Sequence, residues 1–175
     1  LVNNAGTFFN MRQKTPYGVE ATFLVNHLAP FLLTNLLLES MQNSAPARIV
    51  NVASAAHHYG TMDLNDLSFK RFYFGFWAYA RSKLANVLFT YELSRRLYGS
   101  GVTVNALHPG DVATDIFKTD FSVFGPVLKW IVGRFALTPE HGADNSIYLA
   151  SSPEVDNITG KYFVKREAVA SAPIS

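Results

Sequence analysis

Cysteine is absent from this 175-residue chain, and charged residues make up only 16% of it. Without cysteine there is neither a disulfide framework nor thiolate chemistry. The formal net charge of +2 provides no electrostatic footprint for nucleic acid. The apolar share of 49% is enough to bury a sizeable core and argues against disorder. The length predicts a single domain over residues 1–175.

The sequence also lacks a basic-then-apolar leader and a long uninterrupted apolar run. Its longest apolar stretches, residues 28–38 and 126–137, contain polar residues and are shorter than the roughly 20 residues of a membrane-spanning helix. The expected location is cytoplasmic, with membrane association as the alternative. Lys129 and Arg134 in the second stretch leave open a peripheral contact with an anionic membrane surface.

What is present is an alternation of strand and helix patterns. Helical spacing of apolar residues predicts helices from about residue 15 to 40, over 77–98 and over 139–150. Short apolar runs predict buried strands at residues 1–5, 48–53, 102–107 and 161–164. Residues 57–76 show no period, which predicts a loop. This order is typical of an α/β fold, a doubly wound parallel sheet with helices on both faces.

The chemically distinctive residues follow the predicted strands. Ligands of such sheets bind beyond the carboxyl ends of the strands. Asn-Ala-Gly at 4–6, Ser54 and Pro-Gly at 109–110 lie at those ends. The sequence therefore predicts a binding site at one edge of the sheet.

Tyr79 and Lys83 are four residues apart on the predicted helix 77–98. This spacing places both side chains on one face, about 6 Å apart along the axis. An adjacent ammonium favours the phenolate and lowers the pKa of a tyrosine, so the pair can exchange a proton with a substrate hydroxyl or carbonyl. On its own the pair also fits a half-buried tyrosine beside a lysine that extends to solvent.

Several ordered motifs make the chain resemble the short-chain dehydrogenase/reductase family over nearly its whole length. They are Asn-Asn-Ala-Gly at 3–6, Val-Asn-His-Leu at 25–28, the strand 48–54, Tyr-Ala-Arg-Ser-Lys at 79–83 and His-Pro-Gly-Asp-Val-Ala-Thr at 108–114. The long interval between Ser54 and Tyr79 narrows the resemblance to the retinol dehydrogenase-like branch and the similar WW-domain oxidoreductases.

The resemblance implies a Rossmann-type oxidoreductase that transfers a hydride between a nicotinamide cofactor and an alcohol or carbonyl. Tyr79 is then the general acid or base, and Lys83 lowers its pKa and binds the nicotinamide ribose. Ser54 orients the substrate oxygen, and Asn26 holds a water that links Lys83 to solvent.

The resemblance also implies the cofactor contacts and the partners. NADP is expected as the cofactor, with NAD as the alternative. The contacting residues besides Tyr79 and Lys83 are Asn4, Ala5, Gly6, Pro109, Gly110, Val112 and Thr114. An apolar segment at 118–137 is either a lid for an apolar alcohol or carbonyl substrate or a helix packed on the core. The first two long helices form subunit contacts in the family, which allows a homodimer.

Pro30 lies four residues after Asn26. Proline has no N–H, so the Asn26 carbonyl loses its helical partner and becomes able to accept a bond from water. The alternative is a plain proline kink without a relay.

His57 and His58 are adjacent, which is not a metal-site pattern. Neighbouring side chains in an extended segment point to opposite sides, and no carboxylate cluster joins them. No metal is therefore expected.

A glycine-rich phosphate turn of the Gly-x-x-x-Gly-x-Gly type is also missing. We therefore expect the chain to correspond to strands four to seven of the family's seven-stranded pattern, and to be poorly stable and weak in cofactor binding alone. Two alternatives remain at this point: a catalytically incompetent fragment or scaffold protein, and a non-redox epimerase or dehydratase.

Overall fold

The computed structural model describes residues 1–110 and 139–173, which fold around one sheet. The strands are β1 (Val2–Asn3), β2 (Ala47–Val52), β3 (Val102–His108), β4 (Tyr162–Val164) and β5 (Glu167–Val169). The helices are α1 (Ala21–Phe23), α2 (Ala29–Asn43), α3 (Gly75–Arg96) and α4 (Pro139–Ser151). A π-helix, Leu24–Leu28, joins α1 to α2, and 3-10 helices cover Ala55–Tyr59 and Pro153–Val155.

The sheet has the order β1-β2-β3-β4-β5, and its first four strands are parallel. Successive residues of β2 point to opposite faces. Ile49 packs with Leu93 of α3 and with Leu97 just after it, whereas Val50 packs with Leu149 of α4. Helices therefore cover both faces, which confirms the predicted α/β class.

The first long helix begins later than predicted. It starts at Ala21 because the Glu20 carboxylate accepts the backbone N–H groups of Thr22 and Phe23, each at 2.9 Å. Residues 15–19 form a turn instead, in which Gly18 has φ +73°. The predicted helix start near residue 15 was wrong, since the buried cap at Glu20 fixes the start.

Two elements were not predicted. A 3-10 helix, Ala55–Tyr59, overlaps the start of the expected loop, and β5 pairs antiparallel with β4. The connecting residues Lys165 and Arg166 have positive φ values of 50° and 66°. Such a turn usually carries Gly, Asn or Asp, so this polar sequence gave no turn signal.

The helical stretch Ala21–Asn43 is long and apolar enough, by length and composition alone, to cross a membrane. The expectation that this region is too short was wrong, because the helix extends beyond the apolar run 28–38. In the structure its Asn26 and Thr34 are buried within the protein. Of its apolar 18-residue window, 33% is buried.

Candidate active site

The predicted residues meet at the carboxyl edge of the parallel strands. Ser54 follows β2 by two residues, Asn4 to Gly6 follow β1, and Pro109 and Gly110 follow β3. Residues 4–6 are exposed, and Ser54, Pro109 and Gly110 are half-buried. Val112, Thr114 and the segment 118–137 lie outside the described residues.

Lys83 reaches this edge from the interior of α3. Its side chain is buried, its Nζ donates to the Val52 carbonyl at 2.9 Å, and Nζ lies 5.6 Å from the Tyr79 ring centre. Burial penalises the charged form and lowers the pKa of Lys83 to about 8. The group is still an ammonium at neutral pH.

Tyr79 lies one turn earlier on α3 and is also buried. Its ring packs edge-on against Phe8, with 5.9 Å between ring centres. Burial raises the pKa of Tyr79, and a side-chain hydrogen bond with Ser54 acts in the opposite direction. The net direction is opposite to the lowering expected from Lys83, because both side chains are removed from water.

Asn26 lies in the π-helix and binds the loop that follows β1. Its Oδ1 accepts the Thr7 N–H at 2.7 Å, and its Nδ2 donates to the Thr7 carbonyl at 2.9 Å. Nδ2 also donates to Ser82 Oγ at 3.0 Å. One buried amide therefore joins the loop after residues 4–6 to the helix that carries Tyr79 and Lys83.

The backbone carbonyl of Asn26 has a protein partner that the sequence did not predict. Pro30 has no N–H to offer it, and the Asn86 Nδ2 of the facing helix donates to it at 3.0 Å. The Asn86 Oδ1 lies 3.0 Å from His27 Nδ1. The water relay through this carbonyl stays a prediction.

The sequence contains one signal for the contacts of Ser82 and Asn86 that it did not predict, namely a polar face of α3. Tyr79, Ser82, Lys83, Asn86 and Thr90 recur at helical spacing, and all five are buried. Buried polar side chains require partners, so this stripe marks a facing polar surface.

The expectation about the two histidines was wrong in its geometry. His57 and His58 lie in a 3-10 helix, and their ring centres are 4.1 Å apart rather than on opposite sides. Within the described ranges there is no group of three side chains suited to a metal ion.

Arg81, inside the 79–83 motif, binds the long loop that precedes α3. It donates from Nε to the Thr61 carbonyl at 2.7 Å and from Nη1 to the Asp66 carbonyl at 2.5 Å. Its guanidinium lies 3.8 Å from the Phe69 ring centre. The long interval between Ser54 and Tyr79 is thus an ordered segment anchored next to Tyr79.

A nicotinamide cofactor fits the donors and the small residues at this edge. An ammonium has three donors, and the Val52 carbonyl takes one from Lys83. The others suit the hydroxyl oxygens of a ribose. The exposed, small Ala5 and Gly6 leave their backbone accessible to a closely packed ligand.

Comparison with known proteins agrees with this arrangement. Residues 1–122 match the family model for short chain dehydrogenases. Human retinol dehydrogenase 14 is 49% identical over 165 residues, which cover 93% of this chain and 49% of that protein. The chain thus spans about half the length of the curated relatives it matches.

Solved structures show the same fold. An uncharacterised protein from Mycobacterium paratuberculosis has a TM-score of 0.74 at 33% identity, covering 99% of this chain and 59% of that one. The landomycin C-6 ketoreductase LanV, solved with NADP and rabelomycin, has a TM-score of 0.64 at 26% identity, covering 93% of this chain and 58% of that one.

Proposed function

Because the chain belongs to the short-chain dehydrogenase family, we propose that it carries the catalytic part of an NAD(P)-dependent oxidoreductase. The reaction is hydride transfer between a nicotinamide cofactor and an alcohol or carbonyl. The observation that carries this proposal is the convergence of Ser54, Tyr79 and Lys83 at the carboxyl edge of β2. The cofactor, when bound, supplies the hydride.

Tyr79 is the proton donor in this proposal. Burial raises the pKa of its phenol, so the hydroxyl is protonated at neutral pH. It can therefore give its proton to a carbonyl oxygen as that oxygen gains negative charge. In the direction of alcohol oxidation the same oxygen receives the proton.

Ser54 and Lys83 both assist Tyr79 in this proposal. The Ser54 hydroxyl shares a hydrogen bond with Tyr79, so both hydroxyls are available to one substrate oxygen. The Lys83 ammonium stays close to the Tyr79 ring and stabilises negative charge that develops on the phenol oxygen. It also binds the ribose hydroxyls of the cofactor. Asn26 fixes the loop after β1 against α3.

The finer assignments rest on the family resemblance and on the relatives. We propose NADP as the cofactor, supported by the NADP found in the LanV structure. Its contacts are the site residues at 4–6 and 109–110, together with Val112 and Thr114. The substrate is an apolar alcohol or carbonyl, supported by the retinol dehydrogenases among the relatives. A cytoplasmic location and peripheral membrane contact stay predictions.

The test replaces only the phenolic oxygen. Tyr79→Phe is expected to lower kcat for NADPH-dependent reduction of retinal or another apolar aldehyde by at least about 100-fold. Tyr98→Phe is the matched control and should retain full activity, because Tyr98 is 89% exposed and lies just after α3, far from the site. Absorbance of the reduced nicotinamide is the readout, in the longest chain that the gene encodes.

Two results would contradict the proposal. Cofactor binding without turnover of any carbonyl or alcohol would favour a catalytically incompetent scaffold. Substrate conversion with no net change in nicotinamide absorbance would favour an epimerase or dehydratase.

A further inference from the structure

His57 is a completely buried imidazole three residues after Ser54. The chemistry proposed for Ser54, Tyr79 and Lys83 does not use its ring. A buried imidazole needs a partner at each ring nitrogen, and these partners define what the ring does.

The first ring nitrogen acts on Ser54. Nδ1 lies 2.7 Å from the Ser54 carbonyl oxygen, and the backbone N–H of His57 donates to the same oxygen at 3.1 Å. The Ser54 Oγ in turn accepts the Ala56 N–H at 3.2 Å. The backbone and side chain of Ser54 are therefore both held by the turn that contains His57.

The second ring nitrogen acts on the carboxyl-terminal segment 170–173. Nε2 accepts the backbone N–H of the buried Ala172 at 3.1 Å. Because a backbone N–H only donates, Nε2 carries no proton, and the proton of the neutral ring lies on Nδ1. Burial lowers the pKa of His57, which favours this neutral form. Tyr162 packs on the ring, with 4.7 Å between ring centres.

We propose that His57 is a positioning residue, whose ring orients Ser54 through Nδ1 and couples it to segment 170–173 through Nε2. The inference rests on the proposed function, since it is there that Ser54 contacts the substrate oxygen. The ring touches neither substrate nor cofactor and acts only through Ser54.

Matched variants separate the contributions of the two ring nitrogens to kcat. In His57→Asn the side-chain amide can still donate to the Ser54 carbonyl, so kcat is expected to stay within about threefold of wild type. His57→Leu removes both bonds and is expected to lower kcat about tenfold, with the KM for NADPH unchanged. His58→Asn is the control for ring packing, because His58 is exposed and its ring centre lies 4.1 Å from that of His57; it should leave kcat unchanged.

A spectroscopic arm checks the ring directly. Nitrogen NMR of His57 should show the proton on Nδ1, and hydrogen exchange at the Ala172 amide should be faster in His57→Asn and His57→Leu than in wild type. A proton on Nε2 overturns the assignment, as does His57→Leu with wild-type kcat per folded molecule. Equal losses of kcat in His57→Asn and His57→Leu also overturn it. If the wild-type protein shows no turnover, the proposed function is rejected, and the inference is rejected with it.

Discussion

At the scale of single residues, burial shifts the pKa values of the two ionisable groups at the site. Tyr79 and Lys83 are both almost fully buried, and desolvation is the largest cause of both pKa shifts. It moves the phenol and the ammonium in opposite directions, because it favours the neutral form of each. Their separation along the helix was predictable from the sequence, but their distance from water was not.

Lys83 should make the stability of the protein depend on pH. The pKa of Lys83 is about 8 in the folded state, against the usual lysine value of 10.5. Between these values the unfolded chain binds more protons, so stability rises with pH across this window. Below pH 8 the buried ammonium costs on the order of 3 kcal/mol.

Lys83→Met removes this dependence. The variant should be more stable than wild type at about pH 7, and the difference should shrink by about 2 kcal/mol at about pH 9.5. Urea denaturation of both proteins at the two pH values measures it. Equal differences at both values would show that burial does not destabilise the Lys83 ammonium.

At the scale of elements, the π-helix Leu24–Leu28 is the unusual part of the site. Its last turn is closed by the Ala29 N–H, which donates to the Leu24 carbonyl five residues earlier. Pro30 cannot donate to Asn26, so the Asn26 carbonyl turns to Asn86 of α3. The local distortion thus has an identifiable cause, and it creates a bond between two helices.

Pro30→Ala tests the value of this distortion. The new N–H can bind the Asn26 carbonyl as in a regular helix, in competition with Asn86, and misplace the Asn26 side chain. We expect kcat to fall about tenfold while the free energy of unfolding changes by less than about 1 kcal/mol. Pro16→Ala, in the exposed turn before α1, is the control. A lower melting temperature with unchanged kcat would contradict the expectation.

At the scale of the whole molecule, the parallel order of the strands brings the site residues to one edge of the sheet. The helix α2 presents an apolar surface. Phe31, Leu32, Leu33, Leu36 and Leu37 are all more than a third exposed. A group of exposed apolar side chains on one helix indicates a contact surface. We propose that it belongs to a homodimer, in agreement with the subunit contacts of the family.

Leu36→Glu places a charge at the centre of this surface, where Leu36 is 72% exposed. Sedimentation at micromolar concentration should show a dimer for wild type and a monomer for the variant, because the charge would be buried without a partner. Leu64→Glu is the matched control, since Leu64 is 77% exposed in the loop before α3. A monomeric wild type, or a dimeric Leu36→Glu, would reject the homodimer.

The sequence determined the local order of the elements and the identity of the principal side chains. Strand-like runs and helical spacing place Ser54 after β2 and put Tyr79 and Lys83 on one helical face, because these patterns follow from backbone periodicity. The parallel sheet and its carboxyl edge follow from the alternation of the elements. These predictions required no long-range contact.

Only the tertiary structure decided which distant groups meet and how far each is removed from water. Asn86 binds the Asn26 carbonyl, His57 connects Ser54 with Ala172, and Arg81 holds the loop 61–74. Apart from the local bond between His57 and Ser54, each contact joins segments far apart in the chain, so no local pattern specifies it. The pKa directions of Tyr79 and Lys83 depend on the same packing, since desolvation is a property of the surroundings and not of the residue.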